Sequence, residues 1–136
     1  MSEAAVQNEH LALTPPAAAM LGRTISRIED GVVHLAFFAK PEFANRHGGV
    51  QGGIISAMLD SATSVALLAV LPPELTSVTA ELTTSFLKPA PLGLLTAKAW
   101  VVSREDRDAE TAGELYAPDG TLVAKATARL RIRRRG

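Results

Sequence analysis

At 136 residues, 47% hydrophobic and 21% charged, the chain has the size and composition of one globular domain with a substantial core. Basic and acidic residues balance at a net charge of zero, so no overall field draws the molecule to nucleic acid or to a membrane surface. The absence of cysteine excludes a disulfide framework, a thiol nucleophile and cysteine-rich zinc sites, and fits the reducing cytoplasm.

Residues 1–10 are polar, carry Glu3 and Glu9, and lack the basic start and apolar core of a secretory signal. They are expected to form a flexible leader ahead of a single domain over 11–136. Pro15 and Pro16 precede an Ala-rich run ending at Gly22, which predicts a short helix with Thr14 as its cap. Residues 24–29 and 32–38 read as strands joined by the Asp30-Gly31 hairpin turn. Residues 40–53 form a loop rich in Gly, Asn and Pro, and 51–71 form one long helix stopped by Pro72-Pro73. The apolar part of that helix is broken by Ser56, Asp60, Ser61, Thr63 and Ser64, which suits a buried helix better than a membrane span.

Four strand-like runs follow, at 78–87, 94–102, 109–116 and 121–133, separated by Lys88-Pro89-Ala90-Pro91, a charged turn at 104–108, and Pro118-Asp119-Gly120. In the last of them Leu122, Ala124, Ala126, Ala128, Leu130 and Ile132 share one face, while lysine, threonine and arginine dominate the other. A hairpin, a long helix and four antiparallel strands make an α+β domain in which a curved antiparallel sheet wraps one central helix. The helix is apolar on most sides, so a second subunit is expected to cover what its own sheet does not.

The stretch 45–64, NRHGGVQGGIISAMLDSATS, concentrates the chemistry. Gly52 and Gly53 fall at the helix start, where backbone N–H groups are unpaired and the helix dipole is positive, a geometry able to hold a developing oxyanion. At 3.6 residues per turn, Ser56, Asp60, Thr63 and Ser64 form a narrow polar seam opposite a wide apolar face. A lone carboxylate in so apolar a helix is a solvated surface charge, the partner of an arginine, or functional.

Asn45-x-x-Gly48-x-x-x-Gly52-Gly53 followed by Asp60 resembles the hotdog-fold acyl-CoA thioesterases, in their phenylacetate-degradation-type branch. Thr79-x-Glu81-Leu82, then Ser85 to Ala90, is similar to that family's strand after the helix, and Gly120-x-Leu122-Val123-Ala124 to its final turn and strand. The likeness covers about residues 14–132. It implies a hotdog fold and hydrolysis of a small-to-medium aryl- or fatty-acyl-CoA, with the coenzyme A thioester as substrate and no cofactor or metal. It also implies a homodimer with shared active sites, doubled to a tetramer. The Gly52 N–H would polarise the thioester carbonyl, and Asp60 would act as general base for a water or as the nucleophile.

By the same resemblance Asn45 is the loop amide that orients water or thioester, and Ser64 and Thr79 are hydroxyls that hold the water or the carboxylate. Gly53, Phe86, Lys88, Pro89, Arg104 and Arg107 are candidate substrate and coenzyme A contacts, and Leu59, Leu67, Leu68 and Phe86 candidate walls of the acyl pocket. Gln51 stands where the family carries histidine before the glycine pair; an amide forms hydrogen bonds there but does not titrate. His47 is read as a loop histidine, with a place in the pocket lining as the alternative.

A hotdog hydratase or dehydratase would want a histidine beside the carboxylate, and a pure acyl-CoA binder would have no use for a buried carboxylate. The C-terminal arginines 129, 131, 133, 134 and 135 read as a solvated strand face and tail, with attraction to coenzyme A phosphates as the alternative; nucleic acid ranks last, since aromatic residues are only 4% of the chain and net charge is zero. Gly52 and Asp60 are eight residues apart, about 12 Å along a helix, too far to act on one carbonyl from one chain. A site using both takes them from different subunits.

Overall fold

The computed structural model describes residues 14–136. The expected leader at 1–10 lies outside the described residues. In chain order the elements are α1 (Pro16–Met20), β1 (Thr24–Glu29), β2 (Val32–Ala39), a 3-10 turn (Pro41–Phe43), α2 (Gly52–Leu68), β3 (Leu75–Phe86), β4 (Gly93–Arg104), β5 (Asp108–Tyr116) and β6 (Leu122–Arg134). The strands form one antiparallel sheet in the order β1-β2-β4-β5-β6-β3. This is the curved sheet around one long helix that the hotdog resemblance implies.

Packing between α2 and the sheet is close because the facing strand positions are small. Ala97 and Ala99 of β4, Gly113 of β5 and Ala126 of β6 point inward beneath Met58, Leu59, Ala62 and Ala66. A Cβ on Gly113 would stand 3.1 Å from Thr63 Cγ2 and 3.5 Å from Leu59 Cδ2, so glycine there sets the helix-to-sheet distance. Phe37, Leu35, Leu95 and Leu115 fill the remaining space and are fully buried. Each such side chain contributes roughly 1.5–3 kcal/mol by leaving water.

The turns follow their residue chemistry. Asp30 and Gly31 both take positive φ, 53° and 78°, as a two-residue hairpin turn demands. Gly22, at φ 64°, ends α1. The alternation expected in the last strand is present in β6, whose alanines, Leu130 and Ile132 are buried while Lys125, Thr127, Arg129 and Arg131 are exposed. Val123 is buried as well, because a register shift beside Leu115 and Tyr116 turns it inward.

Several boundaries differ from expectation. Pro15, not Thr14, is the N-cap of α1, and no side chain caps that end. The main helix begins at Gly52, with Gln51 as its N-cap, and ends at Leu68 rather than 71. The shortening has a cause in Pro72, which disfavours helical geometry just before it. The last turn accordingly tightens, with Val70 N–H donating to Leu67 and Leu71 N–H to Leu68. β3 starts at Leu75, three residues early, because the long β6 continues to pair with it as far as Arg134. Thr63 leaves the polar seam altogether. It is fully buried over Gly113, and its hydroxyl donates to the carbonyls of Leu59 and Asp60 on its own helix. Among the described residues no helix is long and apolar enough to cross a membrane.

Candidate active site

A cleft of about 450 Å³ opens between the glycine loop and the β3–β4 connection. Gly52, Ile55, Asn45, His47, Gly49 and Val50 line one side; Phe86, Leu87, Lys88, Pro89 and Ala90 line the other. The two walls are tied together, since Val50 N–H donates to the Ala90 carbonyl at 3.0 Å. Gly49 is required at that contact, because a Cβ on it would lie 2.9 Å from the Ala90 oxygen.

Asn45 shapes the loop. Its side-chain oxygen accepts from the N–H groups of His47 at 2.9 Å and Gly49 at 3.2 Å, and its backbone N–H donates to the Gly49 carbonyl at 2.7 Å. Gly48 makes the turn at φ 85°. Among the described residues the Asn45 amide nitrogen reaches only the Val50 carbonyl, at 3.5 Å, and so retains capacity to donate into the cleft.

Gly52 opens α2 on the cleft floor. Ile54 and Ile55 N–H both donate to the Gln51 carbonyl, whereas the N–H groups of Gly52 and Gly53 meet no acceptor among the described residues. The floor of the cleft therefore carries an unpaired donor at the positive end of a 17-residue helix. The Phe86 ring lies over Gly52, 3.4 Å from where a Cβ would be, and is itself half exposed. The Gln51 side chain is exposed, makes no hydrogen bond among the described residues and is not part of the cleft wall.

Asp60 stands two turns further along α2, half-buried, and faces β3. Its Oδ1 accepts from the Thr79 hydroxyl at 2.8 Å, and Thr79 Oγ1 is 3.3 Å from Ser64 Oγ. A β-bulge immediately after Thr79 marks where β3 bends beside this chain of hydroxyls. One turn nearer the cleft, Ser56 donates to Thr84 at 3.1 Å and ties the helix to the same strand.

The structure thus groups the site candidates in two places. Asn45, Gly52, Phe86, Lys88 and Pro89 line the cleft, with Gly53 exposed at its rim; Asp60, Ser64 and Thr79 form a hydrogen-bonded trio about 12 Å away. Arg104 and Arg107 join neither group. Arg104 donates to the Val70 carbonyl at 3.4 Å, and the Arg107 carbonyl accepts from Ile132, both beyond the C-terminal end of α2. Leu59 and Leu67 are fully buried in the core and cannot wall an open pocket, whereas Leu68 and Phe86 remain accessible. His47 lies on the loop and also lines the cleft, the second of its two readings. The Asn45 side chain fixes the His47 backbone by accepting its N–H, while the His47 side chain stays exposed. Of the C-terminal arginines, Arg129 pairs with Glu81 across β6 and β3 at 2.6 Å and holds its carboxyl below the usual range.

Comparison with known proteins gives a consistent picture. The family model described as thioesterase superfamily matches residues 47–124, which include His47 to Gly53 of the cleft loop, Asp60 and Thr79. The phenylacetic acid degradation-related protein of Ralstonia eutropha JMP134 is 35% identical, superimposes with a TM-score of 0.86, and is matched over 94% of this chain and 98% of its own. A thioesterase family protein from Silicibacter pomeroyi is 28% identical, with a TM-score of 0.83 and coverage of 96% and 97%. The E. coli PaaI protein of the phenylacetic acid degradation operon is 25% identical, with a TM-score of 0.83 and coverage of 98% and 94%. Among curated proteins none matches.

Proposed function

The chain belongs to the thioesterase superfamily, in its phenylacetate-degradation-type branch, and is a thioester hydrolase; from that premise we propose that it hydrolyses a small-to-medium aryl- or fatty-acyl-CoA at a site shared by two subunits. The observation that carries the shared site is the separation of its two halves. An unpaired Gly52 N–H lies on the floor of the cleft, while the hydroxyl-held Asp60 carboxylate stands about 12 Å further along the same helix. Two antiparallel copies of α2, side by side, bring Asp60 of one to the helix start of the other.

In this reading the thioester carbonyl accepts from Gly52 N–H, which stabilises negative charge as it develops on oxygen. Asp60 takes a proton from a water, whose oxygen attacks the carbonyl carbon. The C–S bond then breaks, and Asp60 returns its proton to the departing sulfur, giving the coenzyme A thiol, the free acid and the carboxylate ready for the next turnover. Thr79 holds one Asp60 oxygen and leaves the other for the water, and Ser64 supports Thr79. The Asn45 amide donates toward the substrate, and Lys88 and Pro89 flank the pantetheine arm at the cleft mouth. Arg104 and Arg107, far from their own cleft, would meet a nucleotide only across the subunit boundary. The coenzyme A thioester is the substrate, and no cofactor takes part.

The subunit boundary is assigned to β3. It is the free edge of the sheet beyond β6, twelve residues long, with Val78 and Ala80 exposed beside Thr79. Such an edge pairs readily with a second copy. A dimer formed there covers the open side of α2, and two dimers make the tetramer.

The test is thiol release from a panel of phenylacetyl, hydroxybenzoyl and short-to-medium fatty acyl-CoAs, with wild type and Asp60→Asn. The expected outcome is turnover by wild type on part of the panel and a loss of 100-fold or more in Asp60→Asn, on the order expected for a general base or nucleophile. A wild type inert on the whole panel would sink the acyl-CoA reading; full activity in Asp60→Asn would sink the site.

A further inference from the structure

Arg23 is a second charged group on the side of α2 that the sheet leaves open. It sits in the turn between α1 and β1, just after Gly22, and its Nη1 donates to Ser61 Oγ at 3.0 Å. Ser61 is the residue next to Asp60. The arginine is half-buried, and its guanidinium meets neither a carboxylate nor any acceptor besides Ser61 among the described residues. Burial pushes it below the ordinary arginine value, yet a guanidinium keeps its charge. A partly desolvated cation without a counterion is unfavourable, and its planar fork of donors matches a carboxylate or a phosphate; at the end of a short acyl group the group that supplies this geometry is a carboxylate.

The space beside it is open. Asp60 and Ser61 point about 100° apart around the helix, and Ala57 and Ser64 project between them. Both are small and half-buried, Ala57 against the core and Ser64 toward Thr79, so within one protomer no long side chain of this helix stands between the Asp60 carboxylate and the Arg23 guanidinium. At the radius of a helix with its side chains, that gap is on the order of 10 Å. It accommodates a short alkyl chain or one ring, with a hydrogen bond at the far end.

We propose that Arg23, held by Ser61, selects the acyl group: it binds a carboxylate at the far end of an acyl moiety whose thioester carbonyl lies at Asp60. The substrate class is then the mono-coenzyme A thioester of a short dicarboxylic acid. This rests on the reading of Asp60 as the group that acts on the thioester. It explains why the chain keeps an uncompensated arginine on the face that a substrate or a partner must cover. Arg23 is a specificity residue and takes no part in bond breaking.

The experiment compares kcat/KM for adipoyl-CoA and hexanoyl-CoA, which differ only at the distal end. Wild type should favour adipoyl-CoA by about tenfold or more, and Arg23→Met should lower kcat/KM for adipoyl-CoA about 10- to 100-fold more than for hexanoyl-CoA, chiefly through KM. Arg23→Lys should keep part of the preference, and Ser61→Ala should weaken it in the same direction. Urea midpoints of the variants separate lost selectivity from lost folding. Equal losses on both substrates, or a wild type indifferent to the distal carboxylate, would overturn the inference and leave the thioesterase reading standing. A wild type inert on every thioester, including the wider panel, would overturn both.

Discussion

Among the described residues Asp60 is held from one side only: Thr79 donates to its Oδ1 at 2.8 Å and Ser64 lies behind Thr79, and in the proposed mechanism the second carboxylate oxygen meets the water. Thr79→Val should therefore lower kcat by roughly tenfold, as expected for one hydrogen bond to a charged group, with little change in KM. Steady-state kinetics on the best thioester of the panel checks this; a change confined to KM would place Thr79 in binding instead. His34, on the outer face of β2, gives a prediction about stability. Burial pushes its imidazole below 6.5, Arg27 and Lys98 push it further, and Glu29 opposes them. The folded state thus prefers neutral His34, and the unfolded chain takes up the proton first as pH falls through 6.5. Stability should decline on going from pH 7.5 to 5.5, and His34→Gln should reduce that decline in thermal melts. The carboxyls of Glu81 and Asp119, held low by Arg129 and by the Thr121 N–H, act in a separate and more acidic window. Their contribution is present above the ordinary values of 4.5 and 3.8 and is lost as pH falls through the lowered ones. At this scale the sequence marked Asp60 and Gly52 as candidates, because a lone carboxylate in an apolar helix and a glycine-rich helix start are local patterns, and Asn45 only through the family resemblance; the structure places Gly52 and Asn45 on the cleft and Asp60 beside Thr79. Arg23 and Thr63 were not legible. Their meaning comes from contacts with Ser61, 38 residues away, and with Gly113 on another strand.

Elements were legible where a single periodicity ruled them. β6 alternates cleanly because its inner face packs on α2 and its outer face is wet. The first hairpin is specified by Asp30-Gly31. The start of β3 escaped notice because Leu75, Thr76 and Ser77 are all half-buried and show no alternation; only pairing with β6 makes them a strand. The helix end was overestimated because residues 69–71 remain apolar after the helical bonding has tightened. The contact of α2 with the sheet yields a prediction at this scale. Gly113→Ala places a Cβ 3.1 Å from Thr63 Cγ2, and Thr63 is fixed by its own bonds to Leu59 and Asp60. The helix must lift or Thr63 must rotate, so the substitution should destabilise by about 1–3 kcal/mol, read from urea unfolding. A neutral or stabilised variant would mean that the helix is not set by this contact.

For the whole molecule, the open side of α2 and the free edge of β3 lie together, and one partner copy can cover both. Val78→Lys with Ala80→Lys puts like charges on that edge and should shift the protein toward monomer in sedimentation while abolishing thioester hydrolysis. Activity retained in a monomeric variant would break the link between assembly and catalysis. The shared site itself can be tested by complementation. Gly52→Pro removes the N–H assigned to the carbonyl, at the first helical position, where proline is tolerated. Gln51 before it already has φ −58° and ψ 136°, the backbone a residue preceding proline prefers. Gly52→Pro and Asp60→Asn are each expected to be inactive alone. Dissociated and reassociated in equal amounts, they should recover about a quarter of wild-type activity, since half the dimers are mixed and each mixed dimer has one of its two sites whole. A mixture no more active than its parents would contradict a site built from the Gly52 of one subunit and the Asp60 of the other.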